Sequence, residues 1–304
     1  MVFKQLIAAA ALAAGIAAPG IAADAKPKFD NVVVFGDSLS DVGNIFLFTH
    51  GAEPAAPYDD GRFSNGQLWV EHVAGIYGVT LSPSGAGPTD FGNDWAYGGA
   101  ETTIDVPVEA GVSIPSLKTQ SIAYLASAGG TADPKTLYVI WGGGNDVFHS
   151  IAGDNGTAAP AALPAKFATR TVGVISRLKN AGARHFLVLG VPDVGLTPDA
   201  IGAGAGAAAT QLSGALNAAL AASLADATLN AGVAIYFINV TKVMDGIVNG
   251  PTHFGFTDVT DPCYPGTGTA FCPDPDHSFF WDAIHPTAFG HAMIAVEAAQ
   301  ALPH

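Results

Sequence analysis

Four apolar runs punctuate the chain: residues 30–35 with Val32-Val33-Val34-Phe35, Leu137-Tyr138-Val139-Ile140-Trp141, His185-Phe186-Leu187-Val188-Leu189, and residues 233–238. None alternates with polar residues, which is the pattern of strands covered on both faces. Between them lie stretches of helical spacing. In residues 67–77, Leu68, Val70, Val73, Ala74 and Tyr77 share a face, and in residues 166–180, Phe167, Val174 and Leu178 do. Further helices are predicted over residues 40–50, 116–128, 210–230 and 286–301, and a short strand over residues 91–96. Residues 51–66, 81–90, 101–113 and 249–275 read as loops, and the Gly/Ala-rich residues 200–209 as a low-complexity, mobile segment. The alternation predicts one α/β domain, a central parallel sheet with helices on both faces. The loops 51–66, 249–275 and 98–113 are expected to shape a cleft at the sheet's carboxyl edge.

The first 25 residues stand apart. Lys4, an alanine-rich apolar stretch over residues 6–18 and Ala23-Asp24-Ala25 form the pattern of a cleavable secretory leader. That divides the chain into a leader (1–25) and a mature domain (26–304), destined for the periplasm or the exterior. The apolar stretch is short for a spanning helix, and every later apolar run is interrupted, so no stable membrane insertion is expected.

Charge narrows the partners. Charged residues make up 12% of the chain and the formal net charge is −14, with Lys and Arg scattered. Nucleic acid and anionic lipid, which need basic patches, are disfavoured; an acidic solvated surface is the plain reading. Cys263 and Cys272 lie nine apart in a Pro/Gly-rich stretch. In an oxidising compartment they are expected to close a small disulfide loop, the alternative being two buried thiols; zinc sites usually use closer spacing and more ligands.

The candidate chemistry sits at the ends of the strands. Gly36-Asp37-Ser38 follows the first, where open parallel sheets place their sites. Ser38 reads as a nucleophile if a base lies near, or else as a helix cap. Asp282-Ala283-Ile284-His285 precedes Pro286, so a carboxylate three residues upstream can orient an imidazole held at a helix entrance; a surface capping pair is the simpler reading. Asn145 follows Gly142-Gly143-Gly144 as an amide donor or an Asx turn, and the N–H groups of Gly98-Gly99 can face an anion or merely make a tight turn. Asp274, Asp276 and His277 lack the spacing of a calcium loop and read as solvated loop residues. His72, His149, His253 and His291 read as surface or packed histidines, and Trp141 and Trp281 as packing residues near the site.

Taken jointly, these segments resemble the GDSL-type, or SGNH, serine hydrolases. Gly36-Asp37-Ser38-Leu39-Ser40-Asp41-Val42-Gly43-Asn44 is similar to their first block and Asn93-Asp94-Trp95-Ala96-Tyr97-Gly98-Gly99-Ala100 to the second. Gly143-Gly144-Asn145-Asp146 is similar to the third block and Asp282-Ala283-Ile284-His285-Pro286 to the fifth. Similarity extends to Gly61-Arg62-Phe63-Ser64-Asn65-Gly66, to Leu187-Val188-Leu189-Gly190-Val191-Pro192, and to the segment from Phe254 through Cys263. The style is that of the secreted branch with plant GDSL lipases and bacterial lecithinase-like lipases. The resemblance implies a flavodoxin-like α/β/α sandwich. It implies Ser38 as nucleophile, His285 as base, Asp282 as its orienting acid, and an oxyanion hole from the N–H groups of Ser38 and Gly99 with the Asn145 side chain, Gly99 being favoured over Gly98.

A secreted ester hydrolase without metal or organic cofactor is therefore expected, acting on a small-molecule or lipid ester. A carbohydrate O-acetyl esterase and a lipid acyltransferase would use the same machinery. A non-catalytic binding module that kept the fold is the rival from another class, disfavoured by the intact Ser38, Asn145, Asp282 and His285. A flavodoxin-like nucleotide binder is disfavoured because Asp37 stands where a phosphate would sit.

Overall fold

The computed structural model describes residues 29–85, 91–109, 111–266 and 271–303; the expected leader lies outside them. The described residues form six strands: β1 (Asn31–Gly36), β2 (Val106–Glu109), β3 (Val112–Ile114), β4 (Thr136–Trp141), β5 (His185–Leu189) and β6 (Ala234–Ile238). The helices are α1 (Asn44–Phe48), α2 (Trp69–Ile76), α3 (Leu117–Ser127), α4 (Gly144–Ala152), α5 (Leu163–Ala181), α6 (Pro198–Gly202), α7 (Gly206–Leu224), α8 (Ala227–Asn230), α9 (Val240–Asn249) and α10 (Ala288–Ala301).

The central sheet has the order β1-β4-β5-β6, parallel throughout. The expected strand at 91–96 is reduced to a parallel bridge of Asp94 beside Val34, with Val34 N donating to Asn93 O (2.9 Å) and Trp95 N to Val34 O (2.8 Å). The chain thus runs to one side of β1 and returns on the other. This makes a topological switch point at the carboxyl ends of β1 and β4, the flavodoxin-like arrangement.

The apolar strands are explained by two cores. Val32, Val34, Leu137, Val139, Leu187 and Leu189 pack against α2, α9 and α10 on one face. Val33, Phe35, Tyr138, Ile140, Phe186 and Val188 pack against α3, α5 and α7 on the other. Alternate residues of each strand enter opposite layers, so no position remains for a polar residue. The three-layer α/β class read from the sequence holds.

Several expectations need correction. Residues 200–209 are not a mobile segment: α6 and α7 occupy most of them, and Ala200 and Ala209 are buried. Alanine favours helix, and the small residues permit a close backbone approach; a Cβ on Gly195 would meet Gly206 O at 2.1 Å. The polar loop 101–113 contains the antiparallel pair β2–β3, registered by Val106 opposite Ile114. The predicted helix 210–230 stops at Leu224, because the Asp226 side chain accepts the N–H groups of Thr228 and Leu229 and caps a new turn. The closing helix begins at Ala288 and not at Pro286: Thr287 caps it, and Pro286 pairs instead with Phe280.

Candidate functional site

The exit of β1 is built around buried acids. Asp41 accepts the N–H groups of Gly43 (2.8 Å), Asn44 (2.5 Å), Ile45 (3.1 Å) and, from the second block, Gly98 (2.8 Å). Asp94 accepts those of Val42 and Ala96, while the Asn44 amide donates to the carbonyls of Asp94 and Ala96. These bonds lock the first two sequence blocks together and hold the turn that carries Ser38. Burial pushes Asp41 up to about 6 in spite of its donors.

Ser38 Oγ lies 2.8 Å from His285 Nε2, and His285 Nδ1 lies 2.7 Å from Asp282 Oδ2. Residues from opposite ends of the chain therefore meet in one line of hydrogen bonds. With Nδ1–H donated to the carboxylate, Nε2 is left to accept the serine proton. The other oxygen, Asp282 Oδ1, takes the N–H groups of Ile284 (2.7 Å) and His285 (2.6 Å), a turn that fixes acid and imidazole relative to each other. Burial alone would raise Asp282. The His285 charge, the bond from its side chain and the two backbone donors outweigh burial and hold the acid down to about 2.

The segment after His285 is anchored by the Gly-Arg-Phe-Ser-Asn-Gly loop. Ser64 Oγ donates to Pro286 O (2.9 Å), Asn65 Oδ1 accepts Ala288 N (2.7 Å), and the Phe63 ring lies 5.2 Å from the His285 ring. Arg62 makes a two-pronged ion pair with Glu71 of α2 (2.8 and 2.9 Å) that holds the loop down.

Asn145 stands in the first turn of α4, a helix the sequence reading passed over. It follows Gly143, whose φ of +112° and the 2.7 Å approach of Phe167 and Val191 to any Cβ require glycine. Its Nδ2 donates one proton to Ala100 O (2.9 Å), which leaves the second amide proton free to point at a ligand. Of the glycine pair, Gly98 has its N–H committed to Asp41, whereas Gly99 follows in a left-handed conformation, φ +78°.

A narrow cleft, partly open to solvent, is lined by Ser38, Asn145 and His285 at its polar end. Trp141, Val240, Met244, Phe279, Phe280 and Ile294 line it elsewhere, all buried. Asp37 also lines it, pushed up by burial to about 7, and Asp146, buried behind it, to about 6.

Cys263 and Cys272 form a disulfide. Trp141 lines the cleft and donates to Gly190 O, while Trp281 stacks with Tyr264 and Phe271. His149 pairs with buried Glu101 (2.6 Å), His277 pairs with Asp274 on the surface (2.9 Å), and His291 is fully buried. Sequence reasoning missed the burial of Asp37 beside the site and the contact made by Tyr58. Asp37 stood inside a quoted motif but its burial was not legible, and Tyr58 is one aromatic in a loop without periodicity.

The blocks, the parallel order and the Ser38–His285–Asp282 line define a serine-hydrolase-like α/β protein. Residues 32–298 match the family described as GDSL-like Lipase/Acylhydrolase, and the chain belongs to it. It is 32% identical over 339 residues to Esterase EstA of Pseudomonas aeruginosa, an alignment covering 97% of this chain and 50% of that protein. The chain thus spans about half the length of that relative. It is 27% identical over 329 residues to a phosphatidylcholine-sterol acyltransferase of Aeromonas hydrophila, covering 91% of each. A GDSL esterase/lipase of Arabidopsis thaliana is 25% identical over 295 residues, covering 86% of each.

Among the described residues no helix is long and apolar enough to cross a membrane.

Proposed function

We propose that the protein hydrolyses carboxylic esters through an acyl-enzyme on Ser38. The observation that carries the reading is the unbroken line Ser38 Oγ–His285 Nε2 (2.8 Å) and His285 Nδ1–Asp282 Oδ2 (2.7 Å). His285 takes the hydroxyl proton as Ser38 attacks the ester carbonyl, and Asp282 holds the imidazolium that forms. The tetrahedral oxyanion is met by the N–H groups of Ser38 and Gly99 and by the second Asn145 amide proton. Collapse expels the alcohol, which receives its proton from His285. Water, deprotonated by His285, then attacks the acyl-enzyme and releases the acid. The bond of Gly98 to Asp41 supports Gly99 as the glycine donor.

The apolar lining of the cleft supports an acyl group with an aliphatic or aryl body over an acetylated sugar as the preferred substrate. If another alcohol replaces water in the second half, the site becomes an acyltransferase, a reading favoured by the near full-length likeness to the Aeromonas protein. The leader pattern in residues 1–25 and the Cys263–Cys272 disulfide support export, with residues 26–304 as one hydrolase unit.

The test is a panel of aryl esters from acetyl to palmitoyl, with lecithin and acetylated xylan beside it, for wild type and Ser38→Ala. Turnover of acyl esters that vanishes in Ser38→Ala is expected. Turnover surviving in that variant would reject the nucleophile, and none on any ester would favour a binding module.

A further inference from the structure

Tyr58 lies in the loop over residues 51–66, 224 positions from Asp282, yet its hydroxyl donates to Asp282 Oδ2 at 2.8 Å. That is the same oxygen that His285 Nδ1 uses. With Ile284 N and His285 N on Oδ1, the carboxylate has four donors, and Tyr58 supplies the single one from a distant part of the chain. The ring is held in place by edge contacts with Phe63 (6.4 Å), Tyr264 (5.8 Å) and Trp281 (6.3 Å). Tyr264 and Trp281 are themselves tied together, Tyr264 N donating to Trp281 O, and Trp281 precedes Asp282.

We infer that Tyr58 is a positioning residue of the relay: by sharing Asp282 Oδ2 with His285, it sets how strongly and in what direction the carboxylate pulls on the imidazole. This rests on the ester-hydrolase reading above. A phenol donated to the carboxylate withdraws part of the charge that His285 meets and blocks rotation of the carboxyl group. Burial and the Asp282 charge both push Tyr58 up, so the hydroxyl keeps its proton and stays a donor. The titratable groups facing His285 are Asp282 and Asp37, with His291 deeper in α10. Without the phenol, Asp282 would hold the imidazolium more tightly and orient it less well.

The test is Tyr58→Phe, which keeps the ring and its contacts. The expected result is about a tenfold fall in kcat on a short aryl ester with KM little changed, as for loss of one hydrogen bond to a charged group. The acid limb of the kcat/KM–pH profile is expected to move to higher pH. The downfield proton resonance of the His285–Asp282 hydrogen bond, which requires no turnover, is expected to move further downfield. An unchanged limb with an unmoved resonance would overturn the inference, as would a change in KM alone. Ser38→Ala beside it separates the claims. Turnover surviving there overturns the reading of the site, whereas an inactive Ser38→Ala with a wild-type Tyr58→Phe overturns the role of Tyr58 alone.

Discussion

The N–H of Gly98 donates to the carboxylate of Asp41 across 57 positions, at 2.8 Å. This bond fastens the second sequence block to the first, and Asp41 takes three further N–H groups from its own turn. Removing the acid strands all four donors in a buried site. Asp41→Ala is expected to lower stability by about 3 kcal/mol or more, since each unmade buried bond costs ~1–3 kcal/mol. Urea unfolding at constant m-value measures it; a loss below ~1 kcal/mol would mean that water replaces the carboxylate freely.

Asn145 has one amide proton engaged by Ala100 O and one available. Asn145→Ala is expected to lower kcat about 10²–10³-fold, the effect of deleting one oxyanion donor, with KM nearly constant. Steady-state kinetics on an aryl ester checks this. A rise in KM with kcat intact would make Asn145 a substrate-binding group instead.

The buried acids give stability a pH dependence of known sign. Asp37 is raised from 3.8 to about 7 by burial, so between those values the folded state holds a proton that the unfolded chain has lost. Its contribution therefore declines as pH rises through that window. Asp41 and Asp146, each raised to about 6, act in the same direction. Asp282, held down to about 2, acts oppositely but only below 3.8, and His291, lowered by burial from 6.5 to about 3, opposes the trend between those two values. Asp37→Asn isolates one group: its melting temperature should fall less than that of wild type from pH 4 to 7. Parallel curves for the two proteins would contradict the assignment.

Met244 of α9 lines the cleft and is 4% exposed, so its side chain limits the space available to an acyl group. Met244→Ala is expected to shift kcat/KM toward longer acyl chains and to cost about 2–4 kcal/mol of stability. The ester panel reads the first effect and urea unfolding the second. An unchanged chain-length profile would place the acyl group elsewhere.

The four central strands were legible because each is covered on both faces and reads as a continuous apolar run. Ser38, Asn145, Asp282 and His285 were legible because each follows a strand or precedes a helix in a recognisable block. The helical nature of residues 200–209 was not: Gly and Ala give no periodicity, and the close approach of Gly195 to Gly206 is a tertiary contact with no local pattern. Tyr58 was illegible for a similar reason, because its partner is 224 residues away and its loop has no repeat. Asp226 differs, because its partners Thr228 and Leu229 are local: its capping bonds decide a helix break that the helix-favouring composition of residues 210–230 masked.

The most direct measurement is mass spectrometry of the protein after reaction with a fluorophosphonate ester, at pH 7 and on wild type and His285→Ala. The account predicts one phosphonyl group per chain, on the peptide carrying Ser38, and labelling slowed by orders of magnitude when the imidazole is gone. Labelling at another residue, or of Ser38 at an equal rate in His285→Ala, would contradict it.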